Sequence, residues 1–259
     1  MLNNNKIIAS AIFIAMSLLS SGCNETNTND NNASNGNSSN GNGSTAGNNA
    51  SNGNGSSNIQ VDENGTTTVN GTSIISNIPE SNLSEAETKS LLFVREEEKL
   101  ARDVYLGLNT LWGDQVKNFL NISKAEQTHT DSVKALLDRY NLTDPVTESE
   151  DQNLGVFQDS VLQNLYDSLV AKGEKSLIDA LEVGATAEDY DIDDIEKHMK
   201  NVDNEDILTI YQNLVVGSEN HIRAFTKSLN NLNTTYNVQY ISQERYQLIL
   251  SSSNGNGSN

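Results

Sequence analysis

Residues 122–140 read ISKAEQTHTDSVKALLDRY. Taken at steps of three and four, they place Ile122, Glu126, His129, Val133, Leu136 and Tyr140 on one stripe. This is the face that an amphipathic helix turns towards a core. It is apolar at its ends, yet it carries a carboxylate and an imidazole in its middle. Three other segments repeat the pattern: Leu91, Val94, Glu98, Ala101, Tyr105, Leu108; then Leu177, Leu181, Gly184, Glu188, Asp191, Ile195; then Ile207, Tyr211, Leu214, Ser218, His221, Phe225. A carboxylate on a buried stripe costs several kcal/mol unless it is paired or binds a metal. Four stripes that turn polar at one level are therefore more than solvated faces.

These stripes set the architecture. Ser84 and Glu87 form a capping-box pattern that opens a helix running to Trp112 and ending at Gly113. The second long helix is expected over about 114–140, a shorter one over about 158–172, the third long one over about 176–201 and the fourth over about 204–230. Four long amphipathic helices, with an extra short helix in a long middle connection, describe an all-α bundle with one crossover. Residues 59–83 read as a short extended lead-in, in which Asn-Gly at 64–65 and 70–71 allows a small strand or hairpin. The bundle occupies 84–232. Residues 233–250, with Tyr240, Ile241, Tyr246, Leu248 and Ile249, suit a docking segment, and 251–259 a disordered tail.

Converging at mid-bundle, Glu98, Glu126, Glu188 and Asp191 would repel one another without cations. Two divalent ions carry four positive charges against these four carboxylates, and His129 and His221 add neutral nitrogen donors. That mixture suits iron, manganese or zinc.

The motifs also resemble a known group. Glu126-Gln127-Thr128-His129 is the Glu-x-x-His motif of ferritin-like di-iron proteins, whose spacing puts both side chains on one face. The run from Glu98 through Ala101 and Arg102 to Tyr105 is similar to the first-helix Glu-x-x-Ala-Arg-x-x-Tyr segment of rubrerythrins. Glu188 to Asp191 stands where rubrerythrins carry Glu-x-x-Glu. Ser218 to His221 takes the place of a second Glu-x-x-His, with serine for its carboxylate. The stretches REEEKLARDVY, GATAEDYDIDD and VGSENHIRAF resemble the DUF2202 family, a ferritin-like group without an assigned reaction. The likeness spans about residues 84–250. It implies a ferritin-like four-helix bundle with two iron ions held by Glu98, Glu126, His129, Glu188, Asp191 and His221, and with Tyr105, Tyr211 and Ser218 behind them. Glu97 lies on a neighbouring stripe but lacks the tyrosine seven residues on, so Glu98 is preferred. Ser218 either leaves a coordination position open or is replaced by Glu219, which points off the stripe. His198, two turns beyond Asp191, reads as surface or support. Tyr190 reads as packing, and Gly184 as a point of close helix contact.

The N-terminus is of another kind. Lys6, the apolar run Ile7 to Leu19 and small residues up to Cys23 form the pattern of a secretory signal peptide, residues 1–22. Cys23 is the only cysteine and follows Leu-Leu-Ser-Ser-Gly, which resembles the bacterial lipoprotein signal, although Ser20 stands where that signal usually has leucine. The resemblance implies a lipid on Cys23 and a chain held at the cell envelope. Asn24 after the cysteine favours the outer membrane or cell surface over inner-membrane retention. The alternative is an ordinary cleaved signal followed by a free thiol. Residues 24–58 contain only Asn, Gly, Ser, Thr and Ala apart from Glu25 and Asp30. With nothing to bury they read, together with Cys23, as a flexible tether.

The formal charge of −19 becomes −20 once Lys6 leaves with the signal peptide, 15 basic against 35 acidic residues. This balance repels nucleic acid. No serine or cysteine nucleophile pattern and no phosphate loop is present. The expected function is a lipid-anchored di-iron protein that oxidises Fe(II) or reduces dioxygen or peroxide. Its partners would be the membrane and an external electron donor, with a homodimer left open. The rival expectation is a non-catalytic lipoprotein that binds metal or serves as a scaffold.

Overall fold

Ser84 opens the first long helix as the sequence predicts: its backbone N–H donates to Glu87 Oε2 at 2.8 Å, and the N–H of Glu87 donates to Ser84 Oγ at 3.1 Å. The other Glu87 oxygen accepts the N–H groups of Asp203 and Asn204 at 3.1 and 3.0 Å. One carboxylate thus caps two helix starts, and favours both electrostatically. The computed structural model describes residues 59–61, 67–147 and 153–252. The expected signal peptide, Cys23 and its tether lie outside them, as does the tail beyond Ser252.

Two three-residue strands come first, β1 (Ile59–Val61) and β2 (Thr67–Val69), paired antiparallel with Ile59 opposite Val69. The lead-in is not wholly extended. A short helix, α1 (Gly71–Ile75), follows at once, because Asn70 caps it by accepting from the N–H of Ser73 at 3.1 Å. The main body is α2 (Glu85–Trp112), α3 (Asn118–Arg139), α4 (Ser160–Gly173), α5 (Leu177–Met199) and α6 (Glu205–Asn231). A final helix, α7 (Gln243–Ser251), closes the described chain.

The fold is an all-helical bundle. The pair α2 and α3 and the pair α5 and α6 pack along their lengths, and α2 meets α5 while α3 meets α6. The short α4 lies against α2 and α5, and β2 and α1 cover α3 and α6. Leu91, Val94, Leu108, Val133, Leu136, Leu181, Ile195, Ile207, Leu214 and Phe225, all stripe residues, are fully buried. None of the helices among the described residues is long and apolar enough to cross a membrane.

One boundary departs from expectation. The second long helix starts at Asn118 rather than at Asp114, because residues 113–115 make a turn in which the N–H groups of Gln115 and Val116 both donate to Trp112 O.

Candidate metal centre

The bundle brings the polar middles of the four stripes together. Glu98 comes from α2, Glu126 and His129 from α3, Glu188 and Asp191 from α5, and Ser218 and His221 from α6. None is more than 5% exposed. Glu126 stands at the middle: its Oε2 is 2.9 Å from His129 Nδ1 and its Oε1 is 2.7 Å from His221 Nδ1. Glu98 Oε2 lies 3.3 Å from His129 Nδ1, and Glu188 Oε2 lies 3.4 Å from His221 Nδ1. The two imidazoles stack with ring centroids 5.4 Å apart. Two donor sets result, Glu98 with Glu126 and His129, and Glu126 with Glu188 and His221. They share the one carboxylate that faces both ways.

Close as they are, these groups do not satisfy one another. Both oxygens of Glu98, Oε1 of Glu126 and both ring nitrogens of each histidine are buried without a hydrogen-bond partner among the described residues. A folded chain rarely leaves so many buried polar atoms without an aligned partner unless an ion or water serves them. Each three-residue set offers carboxylate oxygens and one imidazole within 4.8 Å of one another, enough to hold a metal ion.

Electrostatics report the same crowding. Burial pushes the Glu98 and Glu188 carboxyls up to about 7, offset in part by the neighbouring imidazoles. Burial also acts against ionised Glu126, but His129 and His221 on either side hold its carboxyl below the usual range. Burial would lower His221, yet Glu188 and Glu126 raise it to about 9, and Glu126 and Glu98 raise His129.

Asp191, expected among the ligands, falls in neither donor set. Its Oδ2 accepts from Ser218 Oγ at 2.6 Å, and besides burial the charges of Glu98 and Glu188 raise its carboxyl, so it borders both halves. Tyr105 donates to Glu188 Oε1 at 2.5 Å and to Gly184 O at 3.3 Å, which holds that carboxylate from behind. Tyr211 pairs instead with Ser90 Oγ at 2.7 Å and does not orient a candidate ligand. Glu219 faces Arg245 of α7 at 2.7 Å, away from the site. Glu97 stays outside both sets, and His198 pairs with Asp194 at 3.1 Å.

Two features escape sequence reasoning. A Cβ on Gly217 would stand 2.4 Å from His129 Nε2 and Cε1, so glycine on α6 makes room for the imidazole on α3. Gly184 likewise admits Phe225, as its place in the stripe suggested. The second feature is that the charged run REEEKLARD is buried on every side of α2. Lys99 Nζ meets Asp103 Oδ2 at 2.5 Å and the carbonyls of Asn153 and Val156, and sits 4.5 Å over the Phe157 ring. Asp103 also accepts from the N–H of Gly155, and Glu96 from those of Gln158 and Asp159. The long connection thus lies across this face of α2, a contact that no local pattern announces.

With this arrangement in view, likeness to known proteins becomes informative. The model of an uncharacterized protein domain, DUF2202, matches residues 87–253. The chain belongs to the DUF2202 family. An uncharacterized protein of Methanocaldococcus jannaschii, MJ0754, is 51% identical over 185 residues, which are 71% of this chain and 97% of that one. The crystal structure of the hypothetical protein MJ0754 matches with a TM-score of 0.66 at 51% identity, over 69% of this chain and 99% of that one. The shared part of the DUF2202 chain therefore takes up nearly the whole archaeal protein, and it contains the helices that meet at Glu126.

Proposed function

We propose that this DUF2202 chain is a ferritin-like four-helix bundle that binds two metal ions, iron by preference, at Glu126, and uses them to oxidise Fe(II) or to reduce dioxygen or peroxide. One observation carries the reading: Glu126 has an imidazole against each oxygen, and each half is completed by a further carboxylate. Glu98 and His129 would hold one ion, Glu188 and His221 the other, and Glu126 both. Asp191 borders both halves and takes the part that a carboxylate at position 218 would otherwise play, with the Ser218 hydroxyl fixing its direction. Tyr105 fixes Glu188 in the same way.

Iron held there by Glu98, Glu126, His129, Glu188 and His221 would supply the electrons for oxygen or peroxide reduction. The residues of the chain supply nearly complete exclusion of water, charge balance and fixed donor directions. With Cys23 as the only cysteine, reducing equivalents must come from another molecule. Manganese and zinc also suit the donor set. The protein would sit at a bacterial envelope, outer membrane or cell surface, through lipid on Cys23, with a homodimer left open and no binding of nucleic acid. A metal-binding or scaffold lipoprotein without catalysis is the other reading, and Ser218, which removes one carboxylate from the expected set, is what favours it.

The full chain loaded anaerobically with Fe(II) should hold two irons in the centre, lose both on Glu126→Ala, and show a rapid absorbance change on adding oxygen or peroxide. Two irons without rapid oxidation would favour the non-catalytic reading, and no loss on Glu126→Ala would refute the centre. Cys23→Ser should release the protein from membranes.

A further inference from the structure

The two halves of the centre are held by different means. Glu98 and His129 stand on α2 and α3, which tie themselves together on either side of the pair. Arg95, one turn before Glu98, donates to Thr130 O at 3.4 Å and to the Thr130 hydroxyl, and Arg102, one turn after it, donates to Gln127 Oε1 at 2.8 Å. Gln127 and Thr130 are the chain neighbours of Glu126 and His129. Both arginines are buried, and each belongs to one of the two helices it joins.

Glu188 and His221 stand on α5 and α6. Ser218 joins these helices directly through Asp191, and a further element joins them from outside. The guanidinium of Arg245, on α7, donates through Nε and Nη2 to Glu196 Oε1 of α5 at 3.0 and 2.8 Å, and its Nη2 lies 2.7 Å from Glu219 Oε1 of α6. Glu219 is buried and stands two residues before His221. A charged fork of this kind fixes direction as well as distance. Ahead of α7, Asp189, next to Glu188, accepts the N–H groups of Gln239, Tyr240 and Ile241 at 2.6, 3.3 and 2.9 Å. The hydroxyls of Tyr246 and Thr226 of α6 are 2.8 Å apart, and Tyr246 and Ile249 are buried, which seats α7 firmly.

One segment therefore touches α5 beside Glu188 and α6 close to His221. Metal ligands tolerate little error in direction, and losing a contact that orients one typically costs about 10–100-fold in affinity. We infer that residues 236–251 brace α5 against α6, with Arg245 and Asp189 as positioning residues of the Glu188–His221 half, so that the C-terminal segment sets one half of the centre and leaves the Glu98–His129 half alone. The inference rests on the two-metal reading for what Glu188 and His221 hold, but not for the brace itself.

Arg245→Ala and Asp189→Asn test this in the full chain, by Mn(II) titration and, with metal withheld, by amide hydrogen exchange read by mass spectrometry. The wild type should bind two Mn(II). In each variant one Mn(II) should bind as before and the other should weaken by about tenfold or more. Glu98→Ala added to Arg245→Ala should remove the tight ion, whereas Glu188→Ala added to it should spare that ion, which assigns the weakened one to the Glu188 half. Exchange should quicken in α5 and α6 and stay at the wild-type rate in α2 and α3. Both ions weakened alike with exchange quickened in all four helices, or both affinities unchanged whatever the exchange, would overturn the brace and leave the two-metal reading standing. Fewer than two Mn(II) in the wild type, with quickened exchange still confined to α5 and α6, would sink the two-metal reading and keep the brace.

Discussion

Two groups of charges are buried to the same depth in this bundle, and they are built on opposite principles. Around Lys99, Asp103 and Glu96 every charge meets a counter-charge or an N–H or C=O of the long connection. Around Glu126 the carboxylates and imidazoles crowd together with their polar atoms unaligned. The first arrangement is finished by the chain itself, and a group of that kind contributes fold and nothing else. The second is left incomplete among the described residues, and on the two-metal reading bound ions complete it, so that position along α2 would separate structure from function within three residues, Glu96 to Glu98.

The sharpest way to break this contrast is to delete one member from each side. Lys99→Ala takes from buried Asp103 one of its two cations, with Arg102 still at Oδ1, and should cost about 1–3 kcal/mol in urea unfolding, with metal stoichiometry unchanged in the protein that remains folded. Glu126→Ala should do the reverse. It should abolish binding of both ions, measured by elemental analysis, while the metal-depleted protein melts no lower than the wild type.

Gly217→Ala sets the methyl against His129 and should cost about 1–3 kcal/mol by overpacking, with weaker metal binding in the Glu98 half. Acidity gives the next effect. With metal withheld, Glu98 and Glu188 carry protons up to about 7 and His221 up to about 9, and metal must displace them. Apparent affinity should therefore rise by about tenfold or more for each ion between pH 6 and 8, measured by competition with a chelator, with proton release on binding. Tyr105→Phe removes a single support from Glu188 and should weaken that ion by about tenfold, with little change in fold stability.

Much of the helical fold was legible in the sequence because helix period and the polar breaks in each stripe fall on the same residues. The capping box at Ser84 and the stripe through Glu126 and His129 needed only spacing, whereas Glu98 is preferred over Glu97 on the likeness to rubrerythrins. The fate of REEEKLARD was not legible: a charge run is ordinarily a solvated face, and what buries it is a connection some fifty residues away. The place of Asp191 was hidden for a related reason. Spacing puts it on the stripe but cannot say that Ser218, on another helix, has claimed its oxygen. Gly217 carries no signal of its own in the sequence, and only the partner helix shows why it is there.

Asp189 sits between two residues of the centre and faces the other way. Its carboxylate accepts the N–H groups of Gln239, Tyr240 and Ile241 and the hydroxyl of Tyr236, and burial raises its pKa despite these donors. The last stretch of the described chain is therefore fastened to the very turn of α5 that presents Glu188. A tug on that strap, by truncation or by a protein bound to it, would be felt as a shift of the carboxylate one residue away, which gives the C-terminal segment a mechanical grip on a candidate ligand it never touches.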